Sequence, residues 1–359
     1  MIFDKGSTEN MVFTVINKTE LTNMTSKEII KRIIEHNNPP RIGFNFMDCD
    51  YNDLVYTSGR TYMDEKPNAY NKWGYHKELL DVTGFSGEVR TDRYGNIYGR
   101  FNGKTKGECI RGAIQDWSDF EKYSMPKIDK THGEQLKIMN LSDSEEFVMV
   151  SGCSVFSALR DARLMSNALA DTILEKEMVI AFCNTIAEHE IEVVKQLYGC
   201  SIDGVMMGDD WGTQDRTFIS PESFRELFKP AYKKIFDAYH DAGIKCFLHS
   251  CGYNYAFIED FIDAGVDVFQ FDQPDAYPSE VLAKEFGERV VFHSPVDIQK
   301  VLPTGNRELI EKRSYEMLDI FKRCGGSWIA KDYPSYWDIG VEPEWAKWAQ
   351  DIIVNNAKI

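Results

Sequence analysis

The chain has 359 residues, with 41 Lys and Arg against 57 Asp and Glu, a formal net charge of −16 and 43% hydrophobic residues. So acidic a balance excludes a nucleic-acid or anionic-membrane surface, both of which select for basic patches, and the apolar content suits a packed core rather than a disordered polyelectrolyte. With no apolar run long enough to span a bilayer, no basic and apolar leader, and eight scattered cysteines without a CxxC pair, the expectation is a soluble cytoplasmic protein with reduced thiols.

The first predicted element is an amphipathic helix over Ser26–Glu35, where Ile29, Ile30, Ile33 and Ile34 share one face. Asn37-Asn38-Pro39-Pro40 breaks it, and Arg41–Phe46 reads as a first strand. From Met47 to about Asp143 the pattern is irregular, with a hairpin over Val89–Phe101 turning at Gly95-Asn96. Strands then alternate with helices: Val148–Cys153, Asp203–Asp210, Lys245–Cys251, Val266–Gln273, Arg289–Asp297 and Ser327–Tyr333. The helix opened by Ser220-Pro221 carries an apolar stripe from Phe224 to Tyr239 and stops at Gly243. Continuous apolar strands flanked by helices mean a parallel sheet covered on both faces. The fold class is therefore α/β, with a (β/α)8 TIM-type barrel carrying an N-terminal elaboration as the best fit and a doubly wound open sheet, disfavoured by the lack of GxGxxG after the first strand, as the alternative. Residues 1–40 form a helical extension, and 41–359 form one barrel domain with an irregular insertion at about 47–143. The acidic helical segment Glu188–Glu192 reads as a solvated face.

In such barrels the active site lies where strands end at the C-terminal face. The endings are Asp48, Gly208–Gln214, His249-Ser250-Cys251-Gly252, Asp272-Gln273, His293-Ser294 and Lys331-Asp332-Tyr333. His249 and Cys251, two apart, offer an imidazole and a thiolate, two of the usual ligands of tetrahedral zinc, although a buried Cys beside a hydrogen-bonded His is also ordinary core. Adjacent carboxylates Asp209 and Asp210 raise each other's proton affinity, which suits acid–base work, while one of them capping a turn is the plainer alternative. Phe46, Asp48, Trp211, Gln214, Asp272, Gln273, His293 and Tyr333 are the residues expected to contact substrate. Aromatics near strand ends (Phe44, Phe46, Tyr51, Trp73, Trp211) are candidates for an apolar pocket.

The stretch GDDWGTQ…ISPESFRELFKP…HDAGIKCFLHSCG…AGVDVFQFDQP (Gly208–Pro274) resembles the uroporphyrinogen decarboxylase superfamily, in particular its corrinoid-dependent methyltransferase branch. The resemblance continues through Phe292–Gly305 and Arg323–Ala330 and reaches more faintly back to Arg41. It implies a (β/α)8 barrel. True decarboxylases of this family grip their substrate with arginines after the first strand, whereas Phe44–Arg60 is acidic and has no arginine before Arg60. The methyltransferase branch holds zinc with H-x-C and a distant cysteine. His249 and Cys251 match the first two positions, and the third falls where this chain has Lys331, Asp332 and Tyr333. The resemblance thus implies Zn2+ on His249, Cys251 and a third ligand, with Asp332 placed ahead of Asp209, Asp210 or Cys324. It also implies a cobalamin (corrinoid) carried on a partner corrinoid-binding protein, a small O- or N-methylated substrate, and Asp209 or Asp210 as the catalytic acid. Related barrels are often homodimers, and the sequence is neutral on that point. The rivals are a decarboxylase of a smaller acid, its cation supplied by Arg41, Arg60 or Lys331, and a non-catalytic corrinoid- or tetrapyrrole-binding subunit.

Overall fold

The computed structural model describes residues 23–359 apart from 48, 61, 63–69, 102–104 and 277. Eight strands pair side by side: β1 (Gly43–Asn45), β2 (Leu54–Thr57), β6 (Phe147–Ser151), β7 (Gly204–Gly208), β8 (Lys245–His249), β9 (Val268–Gln270), β10 (Val291–Ser294) and β11 (Trp328–Lys331). They are parallel throughout and follow chain order, with β1 beside β11 at one end and β2 beside β6 at the other. Asp53 N–H donates to Phe44 O at 2.8 Å across the β1–β2 seam, and this brings the ends together into a (β/α)8 barrel. The irregular insertion contributes a separate antiparallel sheet of β3 (Glu88–Thr91), β4 (Ile97–Arg100) and β5 (Glu108–Arg111). Its first two strands form the hairpin that the Gly95-Asn96 turn forecasts.

Alternation along each strand sorts the side chains. Val205, Met207, Cys246, Leu248, Phe269, Phe292 and Ala330 face the helices in one large core. Phe147, Met149, Phe247, Val268, Val291 and Ile329 fill the barrel interior. The helix Ser26–Ile34, N-capped by Thr25, packs Ile29, Ile30, Ile33 and Ile34 into that interior set, so it plugs the barrel. At roughly 1.5–3 kcal/mol for each fully buried isoleucine, this is a firm attachment. Lys27 and Lys31 add ion pairs to Asp203 at 3.0 and 2.9 Å. The start signals at Ser220-Pro221 are realised, with the Ser220 hydroxyl accepting from Ser223 N–H, but the one helix expected up to Gly243 is two, Pro221–Leu227 and Lys229–Asp241. No helix among the described residues is long and apolar enough to cross a membrane.

Two charged groups are more deeply buried than their segments suggest. Asp53 belongs to the acidic stretch Phe44–Arg60. It is fully buried and forms a two-pronged ion pair with Arg41 at 2.7 and 2.9 Å, and it also accepts from Phe44 N–H and Ser26 Oγ. Glu190 is not on a solvated face. Its carboxylate is buried and accepts from both Arg60 terminal nitrogens, from Tyr239 OH and from Cys153 N–H. In both cases the chain retains a buried carboxylate because several donors replace its lost water.

Candidate metal centre at the barrel mouth

The C-terminal face opens into a cavity of about 380 Å³ whose lining includes Met206, Gly208, His249, Gln270, Asp272, Lys331 and Tyr333, with Lys106 from the insertion. Inward positions 249, 270, 293 and 331 continue the interior rows of β8–β11 after the apolar layer ends, which is why polar groups collect there.

Asp210, His249 and Cys251 converge, each offering a ligand atom within 4.8 Å of the others. Cys251 Sγ is 3.4 Å and Asp210 Oδ1 3.5 Å from His249 Nε2. Asp210 Oδ1 also accepts from Cys251 N–H at 2.8 Å, which ties the β7 and β8 loops together. Close approach of these loops demands glycine at 252: its φ is +79°, and a Cβ would sit 2.2 Å from Gly212 O. The potential donor that lies beside His249 and Cys251 is therefore Asp210, whereas Asp332, placed first by the sequence, is not in this cluster. Asp332 instead accepts from Met47 N–H at 3.1 Å, and Cys324 donates to Ala283 O behind the helix Arg307–Arg323.

The imidazole is held in a defined orientation. Lys331 Nζ and Gln270 Nε2 both donate to Asp272 Oδ1, at 2.6 and 2.7 Å. That choice turns Gln270 Oε1 toward His249 Nδ1, 2.5 Å away, so Nδ1 carries a proton, and Nε2 is the nitrogen that faces Cys251 and Asp210 and would bind a metal on losing its own proton. A histidine that binds a metal usually donates its other ring N–H to a carboxylate or carbonyl oxygen, the part taken here by the Gln270 amide oxygen. One nitrogen, one sulfur and one carboxylate oxygen match the three protein ligands of a catalytic zinc site, and of the three residues His249 lines the cavity. Without metal, burial works to lower the His249 pKa, but Asp210 and Cys251 outweigh it and push it up to about 10. Burial likewise opposes the charge on Asp210, and His249 with Cys251 N–H holds its carboxyl below the ordinary value.

Other candidates lie elsewhere. Asp209 is 1% exposed and points away from the mouth, since neighbours along the chain face opposite ways. It accepts from Val155, Phe156 and Ser157 N–H at the start of the helix Phe156–Arg163 and from Tyr232 OH. Burial raises its pKa while these donors pull it back. Asp209 is thus a structural cap rather than a catalytic acid. Asp209→Asn should cost about 2 kcal/mol in urea unfolding, the worth of hydrogen bonds to a buried charge, and leave metal content unchanged. Metal loss in a folded variant would contradict this assignment.

Trp211 is also corrected: it is fully buried, stacks on Phe156 and donates to Tyr232 OH at 3.1 Å. Phe44, Phe46 and Tyr51 are core residues, and Trp73 packs beneath Arg90 and Arg100 in the insertion sheet, so this aromatic set forms no pocket. Gln214 is exposed in the 212–217 turn. Gln273 accepts from Gly252 N–H at 3.2 Å and braces the Cys251 loop. His293 lies buried, donating from Nε2 to Asn45 Oδ1 at 3.0 Å, with burial holding its pKa well below the ordinary value. Asp272 and Tyr333 do line the mouth. Asp48 lies outside the described residues. Gln270 and Lys106 escaped the sequence reading; the alternation in VDVFQFDQ points Gln270 to the face shared with Val268 and would have exposed it.

Comparison with known proteins agrees with this architecture. The fold is similar to that of a methyltransferase from Methanosarcina mazei, with a TM-score of 0.55 at 13% identity over 93% of this chain and 98% of that one. Weaker likenesses are to a 2,3-dimethylmalate lyase (TM-score 0.35, 11% identity, 86% and 81% covered) and to a chitinase from Chromobacterium violaceum (0.34, 9%, 84% and 98%). No curated protein matches the sequence. Residues 110–331, more than half of the chain, match the uroporphyrinogen decarboxylase (URO-D) family, and the chain belongs to that family.

Proposed function

We propose that this protein is a zinc-dependent methyltransferase that moves a methyl group between a small methylated substrate and the corrinoid of a partner protein. The observation that carries the reading is the Asp210–His249–Cys251 triangle, with His249 Nε2 aimed into it by Gln270. Zinc bound there would supply a Lewis acid that lowers the basicity of the heteroatom leaving the methyl group. The chain's own groups do the rest. Asp210, His249 and Cys251 present one donor atom each. Gln270 and Asp272 fix the His249 ring. Lys331 Nζ and the Tyr333 hydroxyl, both lining the cavity, hold protons where a departing oxygen or nitrogen would take one. In the net reaction the carbon–heteroatom bond breaks, its electron pair stays on the heteroatom, which gains a proton, and the methyl carbon would form its new bond with the electron pair of the partner's Co(I) corrinoid.

The decarboxylase alternative finds all three of its expected cations paired, Arg41 with Asp53, Arg60 with Glu190 and Lys331 with Asp272. Metal analysis of the purified protein and a methyl-transfer assay with free cob(I)alamin test the proposal together. Near one zinc per chain and a methylated corrinoid support it; metal-free protein, or carbon dioxide as the product, would defeat it. Gln270→Ala should weaken zinc about 10–100-fold in a chelator competition, the usual loss for a supporting partner of a metal ligand. Unchanged affinity would show that Gln270 does not hold the ring.

A further inference from the structure

A second set of metal donors lies at the opposite end of β8. Cys246 is the second residue of that strand, whose far end carries His249 and Cys251. Cys246 faces the surrounding helices and His249 the barrel interior, so the two sets share neither a face nor an end of the strand. Asp267 immediately precedes β9, and His240 lies in the last turn of the helix Lys229–Asp241. Three elements thus bring one donor each to the face where the strands begin.

The ligand atoms of His240, Cys246 and Asp267 lie within 4.8 Å of one another. Asp267 Oδ2 accepts from Cys246 N–H at 2.7 Å and from His240 Nε2 at 2.8 Å. This repeats the arrangement at the mouth, where Asp210 Oδ1 accepts from Cys251 N–H at 2.8 Å and lies 3.5 Å from His249 Nε2. In both, a carboxylate oxygen is fixed by the backbone of the cysteine and turned toward an imidazole nitrogen. Cys246 Sγ is only lightly engaged, 3.9 Å from Phe236 O. Gly265 leaves room for the imidazole, since a Cβ there would come within 3.3 Å of His240 Cε1. A divalent cation would take the place of two protons, the one on the thiol and the one that Nε2 shares with Oδ2.

The donor types define the cation. Thiolate, imidazole and carboxylate together select zinc or a zinc-like ion such as cobalt over magnesium and calcium, which take oxygen shells. Cys246 is fully buried while the His240 side chain is 36% exposed, so solvent reaches the cluster from the imidazole side and a water can complete a fourfold shell. Lys245 Nζ, 3.6 Å from Asp267 Oδ1, opposes a cation, but it sits at the other carboxylate oxygen and its side chain is 32% exposed, free to turn into water. Burial pushes the Cys246 thiol well above its ordinary pKa, so an entering cation must displace a firmly held proton. The set therefore fills when metal is supplied rather than during purification.

We infer that His240, Cys246 and Asp267 form a second, structural site for a zinc-like divalent cation, which ties the end of the helix Lys229–Asp241 to the starts of β8 and β9. The inference is independent of the methyltransferase reading, and its test removes the donors at the mouth. Cobalt(II) is titrated into the full chain carrying His249→Ala and Cys251→Ala, and thiolate-to-cobalt charge transfer is followed in the near ultraviolet. One equivalent should bind saturably with that absorption, and the midpoint of urea unfolding should rise as the site fills. Adding Cys246→Ala should abolish the absorption. Adding His240→Ala, at the exposed end of a helix, should weaken cobalt by more than the ~10-fold that loss of a mere supporting partner costs. Circular dichroism should be unchanged in both, and His240→Ala decides the outcome if the core substitution at Cys246 does not fold. Absence of the absorption before either substitution, its survival in folded Cys246→Ala protein, or an affinity unmoved by His240→Ala overturns the site, whatever is found for methyl transfer.

Discussion

His249→Ala is expected to leave a folded protein that purifies with almost no zinc and transfers no measurable methyl group to cob(I)alamin. The ring supplies the central donor, with Cys251 Sγ and Asp210 Oδ1 at 3.4 and 3.5 Å from Nε2, and neither neighbour can take its place. The loss should therefore exceed the ~10–100-fold expected for Gln270→Ala, which disturbs only the ring's orientation. Folding should survive because the imidazole contributes to a polar cavity wall rather than to either apolar core. Atomic absorption and circular dichroism on the same preparation provide the check. A variant that keeps stoichiometric zinc would show that the metal, if any, sits elsewhere, and the proposed chemistry would fall with it.

Asp53→Ala is expected to cost about 3–5 kcal/mol of stability, the usual result of removing one partner from a buried ion pair. Arg41 is 0% exposed and would keep its charge without a counterion. Phe44 N–H and Ser26 Oγ would lose their acceptor in the same step, at the seam where β1 meets β2. Urea unfolding should show the midpoint falling with little change in slope. Lys347→Ala, which breaks an exposed i,i+4 pair with Asp351, is the matched control and should cost only about 0.3–0.5 kcal/mol. A loss below about 1 kcal/mol for Asp53→Ala would mean that water reaches the pair and that the seam is held by other contacts.

The barrel was legible because parallel strands covered on both faces have a local signature, a short apolar run that turns polar where it emerges at the rim. The His249–Cys251 pair was legible for the same reason, since both residues belong to one strand end. Asp210 and Asp332 could not be ranked this way. They sit at the ends of different strands, and the choice between them depends on which strands adjoin β8; β7 does, and β11 does not. The second donor set was hidden more deeply. Cys246 lies in plain view on a strand, but only the packing of the helix Lys229–Asp241 and the start of β9 against β8 brings His240 and Asp267 to it.

The sequence by itself determined the strand–helix alternation, the first helix with its isoleucine face, the glycine stops and the presence of an imidazole and a thiol at one strand end. Those properties depend on periodicity, backbone conformational limits and residue type, all of which act over a few positions. Tertiary structure decided that Asp209 faces the surrounding helices as a cap of Phe156–Arg163 while Asp210 faces His249 and Cys251. It decided that Glu190 and Asp53 are buried against arginines instead of hydrated, and that Gln270 orients the His249 ring. Each of those outcomes depends on cross-strand register and on donors contributed from distant segments, because a charge can be held away from water only where several partners meet it in space.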